Sequence, residues 1–406
     1  MKVPGVPEVP KGWVLVLVLL SAGCAREPRN WAEFNRQLPG MAPDERPAAV
    51  ERYLTAHGGS PIVENQTRLI FLAQDVNGAA PRIVGDFNAW AARPGSGQAS
   101  TPQESDAAVG TMTRIDGTSW SFLEGTAWTN ARVEYVLLSD KEARPDPHNP
   151  RLVQAFAGPR AEVRMPLWVA QPEIDDQAAV PPGEVVAERF RSRSLGGFRR
   201  VWYYLPAGYQ SSGETLYPVM YVLDGGNYIE KMDVPRVLDR LIARKAIPPV
   251  IAVFSEPADR QEEYSRNPKW RTFVASELVP AVDKRFRTFP TPDHRVILGS
   301  SLAAYGAVDL AIEFPSVFGL CAALAPPSQT ITVITNQPKA KAAAVSIRFF
   351  VLGGVYDSML DAARRLRVAL DDVNAPITYL EVPEGHSAET FRGHLDDALK
   401  TLLPGQ

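Results

Sequence analysis

Cysteine and histidine are scarce in this chain, which limits the chemistry that it can carry. Its 406 residues include two cysteines, Cys24 and Cys321, and five histidines. The histidines are scattered, and no pair has the spacing of metal ligands on a recognisable helix or strand. The sequence therefore predicts no metal site. Cys321 lies in an apolar run and is predicted to be a buried, inert core residue.

A charge bias is also absent. Lysine and arginine number 43 against 46 aspartates and glutamates, so the formal net charge is -3. This balance gives no reason to expect nucleic-acid binding. A hydrophobic content of 45% and a charged content of 22% are typical of a globular protein. The length favours roughly two to three domains.

The first 24 residues predict export. Two lysines flank a proline-rich start, and the apolar run over residues 13–20 is too short for a bilayer span of about 20 residues but fits a signal peptide. The segment SAGC (residues 21–24) resembles the lipobox of bacterial lipoproteins, with serine where leucine is usual. The resemblance implies lipidation of Cys24 and a periplasmic or outer-membrane-anchored protein that meets the membrane only through that anchor. The alternative is plain secretion after cleavage at the small residues.

Changes in pattern along the chain indicate four further segments. Residues 25–60 form an extension with a helix predicted over residues 44–57. Residues 61–170 contain short β-like runs between turn residues, which favours an all-β sandwich. Residues 171–183 are acidic and then proline-rich and are predicted to be a linker. Residues 184–406 alternate strands with helices, which predicts an α/β domain with a mostly parallel sheet and helices on both faces.

The segment RVILGSSLAAYGAVDLAIEFPSVFG (residues 295–319) carries a candidate nucleophile. An apolar strand ends in the string GSSLA (residues 299–303), and a helical pattern follows. Strand, sharp turn and helix form the setting of the G-x-S-x-G nucleophile elbow, which raises a serine hydroxyl above the sheet and places it at a helix N-terminus. Ser301 is the predicted nucleophile, with a capping serine in an ordinary turn as the alternative. Ala303 stands where the motif has glycine.

The sequence also supplies partners for this serine. A serine hydroxyl needs an imidazole to take its proton and a carboxylate to orient the ring. Asp357 follows a strand predicted at residues 347–352, and His386 follows a strand predicted near residues 378–382. This is the chain order of α/β-hydrolases, with each residue on a loop after a strand. The alternatives are a capping or loop role for Asp357 and a hydrogen-bonded loop role for His386.

An ester carbonyl oxygen that becomes charged needs two N–H donors. Leu302, directly after the serine, supplies one, and the loop after the strand at residues 219–223 supplies the other through Gly226 or Gly225. The alternative for the glycines is a simple left-handed turn. Asn227 and Arg260 are candidate substrate-binding residues, although a solvated charge cluster is the favoured interpretation for Arg260.

Two fragments of the β-rich segment carry a family resemblance. VGDFNAW (residues 84–90) resembles a segment of immunoglobulin-like early-set domains, and RPDPHNP (residues 144–150) resembles the loop that closes them. Such domains precede the catalytic domain in glycogen-branching-type enzymes and in enterochelin esterases. The resemblance implies an immunoglobulin-like sandwich over residues 61–170. Trp90, Trp120 and Trp128 are candidate sugar-stacking residues, with core or interface packing as the favoured interpretation.

Residues 185–403 are similar to the enterochelin-esterase and esterase D branch of the α/β-hydrolases. The segments that carry the similarity include YPVMYVLDGGNY, ELVPAVDKRFRT, the nucleophile turn and EVPEGHSAETFRGHLDDALKTLLP. The similarity implies serine ester hydrolysis through Ser301, Asp357 and His386, without a metal or organic cofactor. The sequence departs from the family at Ala303 and Ala304, where the family usually has two glycines.

The predicted function is that of a serine carboxylesterase acting on a small-molecule or polysaccharide-linked ester. One alternative is a non-catalytic binding protein that keeps the hydrolase fold, as the two alanines suggest. Another is an esterase directed to feruloyl or acetyl groups on a polysaccharide, with the β-rich domain as a sugar module. Siderophore trilactones and small acyl esters are equally compatible with these residues.

Overall fold

The computed structural model describes residues 28–91, 108–139, 142–171, 174, 179–336 and 338–405. The predicted signal peptide and the lipidation candidate Cys24 lie outside these residues. The chain divides into two compact units, residues 1–42 and residues 43–406. Within the described ranges, no helix combines the length and the apolar character needed to cross a membrane.

The described part of the first unit is a short helix, Trp31–Gln37, followed by a 3₁₀ turn at Leu38–Gly40. Asn30 caps this helix, because its side chain accepts a hydrogen bond from the N–H of Glu33 at 3.0 Å. Such a cap satisfies a backbone donor that has no acceptor inside the helix. The sequence analysis did not predict this helix.

The second unit begins with the helix Arg46–Ala56, which confirms the helix predicted over residues 44–57. We call residues 62–164 the β-region, because its described residues form only strands, turns and one 3₁₀ segment. Its strands in chain order are β1 Ile62–Glu64, β2 Arg68–Gln74, β3 Arg82–Gly85, β4 Thr113–Arg114, β5 Trp120–Thr126, β6 Arg132–Ser139, β7 Glu142–Arg144, β8 Leu152–Ala155 and β9 Gly158–Arg164.

The strands of the β-region form two antiparallel sheets that share a core. One sheet has the order β1-β2-β5-β4, and the other has the order β3-β6-β9-β8 with β7 paired to β6. Phe71 of the first sheet packs edge-on against Tyr135 of the second, with ring centroids 4.9 Å apart. Two sheets with a common apolar interior make a sandwich. The immunoglobulin-like assignment and the domain boundaries stay predictions.

The rest of the unit is built on an eight-stranded sheet, and we call it the hydrolase region after the family that its sequence resembles. Its strands are β10 Glu184–Ser192, β11 Gly197–Leu205, β12 Val219–Leu223, β13 Ile251–Ser255, β14 Arg295–Ser300, β15 Leu320–Leu324, β16 Arg348–Gly354 and β17 Ile377–Val382. The helices between and after them are Gly225–Glu230, Val234–Ala243, Arg260–Tyr264, Pro268–Thr272, Val279–Arg285, Leu302–Glu313, Thr330–Thr335, Pro338–Ala344, Leu360–Asp371, Ala388–Gly393 and Leu395–Leu402.

The strand order is β10-β11-β13-β12-β14-β15-β16-β17. The pairs β10–β11 and β11–β13 are antiparallel, and every later pair in this order is parallel. Neighbouring residues of one strand point to opposite faces, so Tyr221 and Ile297 enter one apolar core while Val222 and Leu298 enter the other. Helices cover both faces, and the predicted mostly parallel sheet is confirmed.

Three local expectations differ from the structure. The sequence analysis assigned no strand to β10 or β15, because β10 is rich in charged residues and β15 is a short uniform apolar run. The pattern over residues 387–403 predicts one helix, whereas the structure has two helices that meet at His394. The pattern over residues 270–286 predicts one long helix, whereas the structure has a π-helical stretch at Phe273–Leu278 between two shorter helices.

A place in the middle of a single helix predicts that His394 is a surface residue, and this prediction is wrong. The break between the two helices leaves its side chain only 13% exposed and in ionic contact with two carboxylates. Its Nε2 lies 3.4 Å from Glu384 and its Nδ1 lies 2.8 Å from Asp397. Burial alone would lower the pKa of His394, but hydrogen bonds to Asp397 and Glu384 outweigh it and raise the pKa to about 9. Burial alone would raise the pKa of Glu384, but Arg132 and His394 hold that pKa at about 2.

These shifts predict a loss of stability at both ends of the pH range. As pH rises from 6.5 through about 9, the unfolded chain loses the His394 proton first, so the free energy of unfolding falls. As pH falls from 4.5 through about 2, the unfolded chain gains the Glu384 proton first, and stability falls again. Denaturant unfolding at stepwise pH measures both slopes. His394→Gln should abolish most of the alkaline slope, and an unchanged slope in that variant contradicts the assignment.

Candidate active site

Ser301 lies at a strained turn between β14 and the helix Leu302–Glu313. Its backbone dihedral angles are φ 57° and ψ −128°, a conformation that a residue with a side chain rarely adopts. The turn is held in place, because the N–H of Ser301 donates to the carbonyl oxygen of Leu324 at 2.8 Å. The strand before it, β14, is fully buried and lies between β12 and β15. The turn therefore stands at the carboxyl end of a central parallel strand.

The tightest contact of this turn is at Gly299. A Cβ atom at Gly299 would lie 2.2 Å from the carbonyl oxygen of Ala303, which no side chain tolerates. Ala303 itself is fully buried and its methyl group belongs to the apolar core beneath the sheet. The crowding thus comes from the backbone of position 303, and the alanine side chain there fills space in the core.

Asp357 and His386 follow the ends of the neighbouring strands β16 and β17. Nδ1 of His386 lies 2.7 Å from Oδ2 of Asp357, whose side chain is 1% exposed. Oδ1 of Asp357 accepts a hydrogen bond from the N–H of Met359 at 2.8 Å, so the carboxylate also fixes its own loop. An ionised carboxylate only accepts hydrogen bonds, so Nδ1 carries the hydrogen and Nε2 is left as the acceptor of the ring.

Ser301 and His386 line one cavity of about 260 Å³. Phe391 packs edge-on against the imidazole, with ring centroids 5.1 Å apart. The remaining lining residues are Phe156, Asp224, Asn227, Tyr228, Met232, Arg260 and Ser300. The structure therefore brings together the predicted Ser301, His386, Asn227 and Arg260, with Asp357 behind the imidazole.

The candidate oxyanion donors differ in their surroundings. The N–H of Leu302 lies in the first turn of its helix, where N–H groups have no acceptor within the helix. The N–H of Gly226 donates to Oε2 of Glu256 at 2.6 Å, so it is already engaged. Gly225 packs on the backbone of Phe254, where a Cβ would lie 2.8 Å from the carbonyl carbon. Gly225 therefore permits a close approach of helix and strand, whereas Gly226 lies against the carboxylate of Glu256.

Arg260 is tied to the wall of the cavity rather than free in solvent. Its Nε donates to Oδ2 of Asp224 at 2.7 Å, and its Nη2 donates to the carbonyl oxygen of Ser300 at 3.3 Å. Burial raises the pKa of Asp224, and the charge of Arg260 opposes this effect. The Arg260 side chain is still 41% exposed, so part of its charge faces the solvent.

Six of the ten lining residues were missed by the sequence analysis, and three of these six are aromatic. Phe156 comes from the β8–β9 hairpin of the β-region, and Tyr228 and Phe391 come from helices of the hydrolase region. A lone aromatic residue in a hairpin carries no signal for a cavity whose other lining residues begin at Asp224, 68 positions further along the chain. The packing of Phe156 against Phe391, with centroids 6.3 Å apart, is a property of the folded chain alone.

A larger cavity of about 980 Å³ lies at the opposite end of the sheet. Its wall includes Pro218, His294 and Arg348, which stand at the amino ends of β12, β14 and β16. It contains none of the predicted site residues. In the part of the chain that the structure describes, no group of three or more histidine, cysteine or acidic side chains is arranged to hold a metal ion.

Comparisons with known proteins point to one kind of enzyme. Residues 192–361 match the sequence profile of a family described as "Putative esterase". The Iron(III) enterobactin esterase of Escherichia coli is 26% identical over 279 residues, which cover 64% of this chain and 68% of that protein. An esterase of Mycobacterium tuberculosis is 31% identical over 136 residues, which cover 31% of this chain and 28% of that protein.

Solved structures share the fold over a longer span. Ferric enterobactin esterase from Salmonella typhimurium superposes with a TM-score of 0.70 at 21% identity and covers 87% of this chain and 98% of its own. A ferulic acid esterase superposes with a TM-score of 0.50 at 23% identity and covers 55% of this chain and 98% of its own. At these identities the likeness establishes the fold.

The contrast between positions 299 and 303 gives a testable prediction. Gly299→Ala should destabilise the protein by about 1–3 kcal/mol, because its methyl group overlaps the backbone of residue 303. Ala303→Gly should cost about 1 kcal/mol through the lower helix propensity of glycine and leave ester hydrolysis close to its original rate. Thermal unfolding and p-nitrophenyl acetate hydrolysis measure the two effects. A tenfold rise in kcat for Ala303→Gly would mean that the methyl group obstructs the turn.

Proposed function

Because this chain is an enterochelin-esterase-like α/β-hydrolase, we propose that it cleaves carboxylic esters with Ser301 as nucleophile, His386 as general base and Asp357 as the residue that orients the imidazole. One observation carries this assignment. The strained turn at Ser301 and the Asp357-bound imidazole of His386 face the same cavity. These are the chemical types and relations that nucleophilic catalysis by serine requires.

In the proposed reaction, Oγ of Ser301 attacks the carbonyl carbon while Nε2 of His386 takes the hydroxyl proton. The tetrahedral intermediate collapses, the ester C–O bond breaks, and the leaving alcohol takes that proton from His386. A water molecule then attacks the acyl-enzyme and gives a proton to Nε2. The acyl–Oγ bond breaks, the acid leaves, and the proton returns to Ser301. Asp357 stays ionised and stabilises the charged ring.

The proposed oxyanion donors are the N–H of Leu302 and an N–H of Gly225 or Gly226. The first lies at the positive end of a helix of 12 residues, which favours the developing negative charge. The second is available from Gly226 only when the carboxylate of Glu256 leaves it, because the two are hydrogen-bonded at 2.6 Å. Burial raises the pKa of Glu256, so protonation weakens its hold on the N–H as pH falls.

The proposed substrates are esters with a small acyl group, or larger esters that insert one arm. A cavity of about 260 Å³ is smaller than the roughly 300–1,000 Å³ typical of sites that enclose a drug-sized ligand. The names of the relatives point to esters of enterobactin and of ferulic acid. We keep siderophore trilactones, feruloyl and acetyl groups on polysaccharides, and small acyl esters as the classes to assay.

Two further features belong to this proposal. We propose that residues 61–170 are an immunoglobulin-like early-set domain, on the support of the two antiparallel sheets with one core. Of its candidate sugar-stacking residues, Trp90 and Trp120 are buried and Trp128 is 56% exposed, which favours a packing role for the first two. We also propose export with lipidation of Cys24. Fatty-acid labelling of the wild-type chain, absent in Cys24→Ala, separates this from plain secretion.

Replacement of the proposed nucleophile tests the function directly. Ser301→Ala should lower p-nitrophenyl ester hydrolysis by at least about 10³-fold and should abolish labelling by a fluorophosphonate probe, since both need the activated hydroxyl. His386→Ala should lower both to a similar extent. Ser192→Ala, at a buried serine of β10 that does not line the cavity, is the matched control and should keep the labelling. Unchanged hydrolysis by Ser301→Ala contradicts the assignment, and a wild-type protein that never labels supports the non-catalytic alternative.

Arg260 predicts a preference for anionic esters. Arg260→Gln should lower the ratio of kcat/KM for an anionic ester over a neutral ester by about fivefold, because a part-exposed ion pair is worth about 1 kcal/mol. The two esters share one leaving group, so damage to the catalytic residues cancels in the ratio. Arg266→Gln, whose arginine pairs with Asp309 outside the cavity, is the control. An unchanged ratio assigns Arg260 to the structural contact with Asp224.

A further inference from the structure

The loops that carry Asp357 and His386 both touch the β-region. The hydroxyl of Tyr356, directly before Asp357, accepts a hydrogen bond from the backbone N–H of Trp128 at 2.8 Å. The carbonyl oxygen of Pro383, three residues before His386, accepts one from the backbone N–H of Arg132 at 3.2 Å. Hydrogen bonds from the β-region therefore reach both loops, next to each of the proposed partners of Ser301.

The side chain of Arg132 makes the strongest of these contacts. Its Nη2 donates to Oε2 of Glu384 at 2.5 Å and to the hydroxyl of Thr390 at 3.2 Å. Arg132 and Glu384 are each 3% exposed at their side chains, so water screens this ion pair little. Glu384 stands two positions before His386, and its backbone carbonyl accepts a hydrogen bond from the N–H of Tyr356 at 3.0 Å. One ion pair therefore connects to both loops.

Further charged groups surround the ion pair of Arg132 and Glu384 and restrict its movement. Glu162 of the β-region lies 3.4 Å from Nη1 of Arg132, and Glu389 of the hydrolase region lies 3.8 Å away. His394 approaches Glu384 from the opposite side at 3.4 Å. A buried guanidinium or carboxylate without its partner is strongly unfavourable, so neither side of the pair moves alone.

The loop has no room to shift toward the β-region. A Cβ atom at Gly385, the residue directly before His386, would lie 2.0 Å from Oδ1 of Asp86. Asp86 is itself fixed, because it accepts hydrogen bonds from the indole N–H of Trp90 at 2.8 Å and from the N–H of Glu134 at 2.7 Å. The loop before His386 is therefore held on one side by the ion pair with Arg132 and confined on another by the carboxylate of Asp86.

From this arrangement we propose that Arg132 is a positioning residue for His386: through Glu384 it holds the loop that aims the imidazole at Ser301. The β-region is then part of the catalytic apparatus, although it contributes no group to the proton transfers. The proposal rests on the proposed function, since it assigns a role relative to the Ser301, His386 and Asp357 set. Small displacements of a catalytic base reduce rates steeply, because the reacting atoms must meet within a few tenths of an ångström.

The test compares Arg132→Met with the wild-type full-length chain. We expect kcat for a p-nitrophenyl ester to fall by about 10- to 100-fold while KM changes less than about twofold, because Arg132 is not among the residues that line the cavity. The rate of fluorophosphonate labelling should fall in parallel. Arg132→Lys keeps the positive charge but loses the second donor nitrogen of the guanidinium, so it should recover part of the rate. Circular dichroism and thermal unfolding measure the folded fraction of each variant, and kcat is calculated per folded molecule.

Arg132→Met also leaves buried carboxylates unpaired, so two milder variants keep the proposal testable if it does not fold. Glu384→Gln preserves shape and removes the charge, and Tyr356→Phe removes only the acceptor of the Trp128 N–H. Each should lower kcat by about three- to tenfold at constant KM. If Arg132→Met folds, its effect and that of Glu384→Gln should not multiply in the double variant, because both remove the same ion pair.

Arg160→Met is the matched control, because Arg160 pairs with the buried Glu134 at 3.2 Å inside the β-region. It should cost stability and leave kcat within about twofold. The proposal is overturned if Arg132→Met or Glu384→Gln folds and keeps the full wild-type kcat. It is also overturned if Arg160→Met lowers kcat as much as Arg132→Met does. These outcomes are distinct from failure of the proposed function, which Ser301→Ala with unchanged hydrolysis would reveal.

Discussion

The close approach of β14 to the helix Leu302–Glu313 is the constraint on which the site depends. With Gly299 against the carbonyl of residue 303, the chain reverses within two residues and leaves Ser301 at a positive φ. The hydrogen bond from Ser301 to Leu324 on the next strand keeps the turn in that state. Because β14 is a central strand, the serine appears in the middle of the carboxyl edge, within reach of the loops after β16 and β17.

Much of this could be predicted from local patterns. Buried parallel strands are apolar runs followed by turn residues, so Ser301, Asp357 and His386 were identifiable as residues that follow strands. Their order along the chain matched one known arrangement. The atoms that face each other at the turn could not be predicted, because a string of residue types does not show them. In the structure the crowded atoms belong to the backbone, and glycine is required at position 299.

Other parts could not be predicted because they depend on contacts between distant segments. Phe156 reaches the cavity only after the β8–β9 hairpin packs on the hydrolase region. His394 looked like a surface residue in a continuous helix, whereas the helix breaks there and buries the imidazole against Glu384. The Gly226 N–H looked free for an oxyanion, whereas Glu256 occupies it. In each case the partner lies at least 10 positions away, beyond the reach of periodicity or motif.

The contact of Arg132 with Glu384 joins residues 252 positions apart. Every strand of the eight-stranded sheet lies between them in the chain. Glu162 gives the guanidinium one partner inside the β-region, but its partner Glu384 is supplied only where the last strand of the eight-stranded sheet ends. A buried guanidinium or carboxylate without its partner is costly, so the two sheets are thermodynamically coupled through this pair. A substitution that loosens the sandwich is therefore also felt at the far end of the eight-stranded sheet.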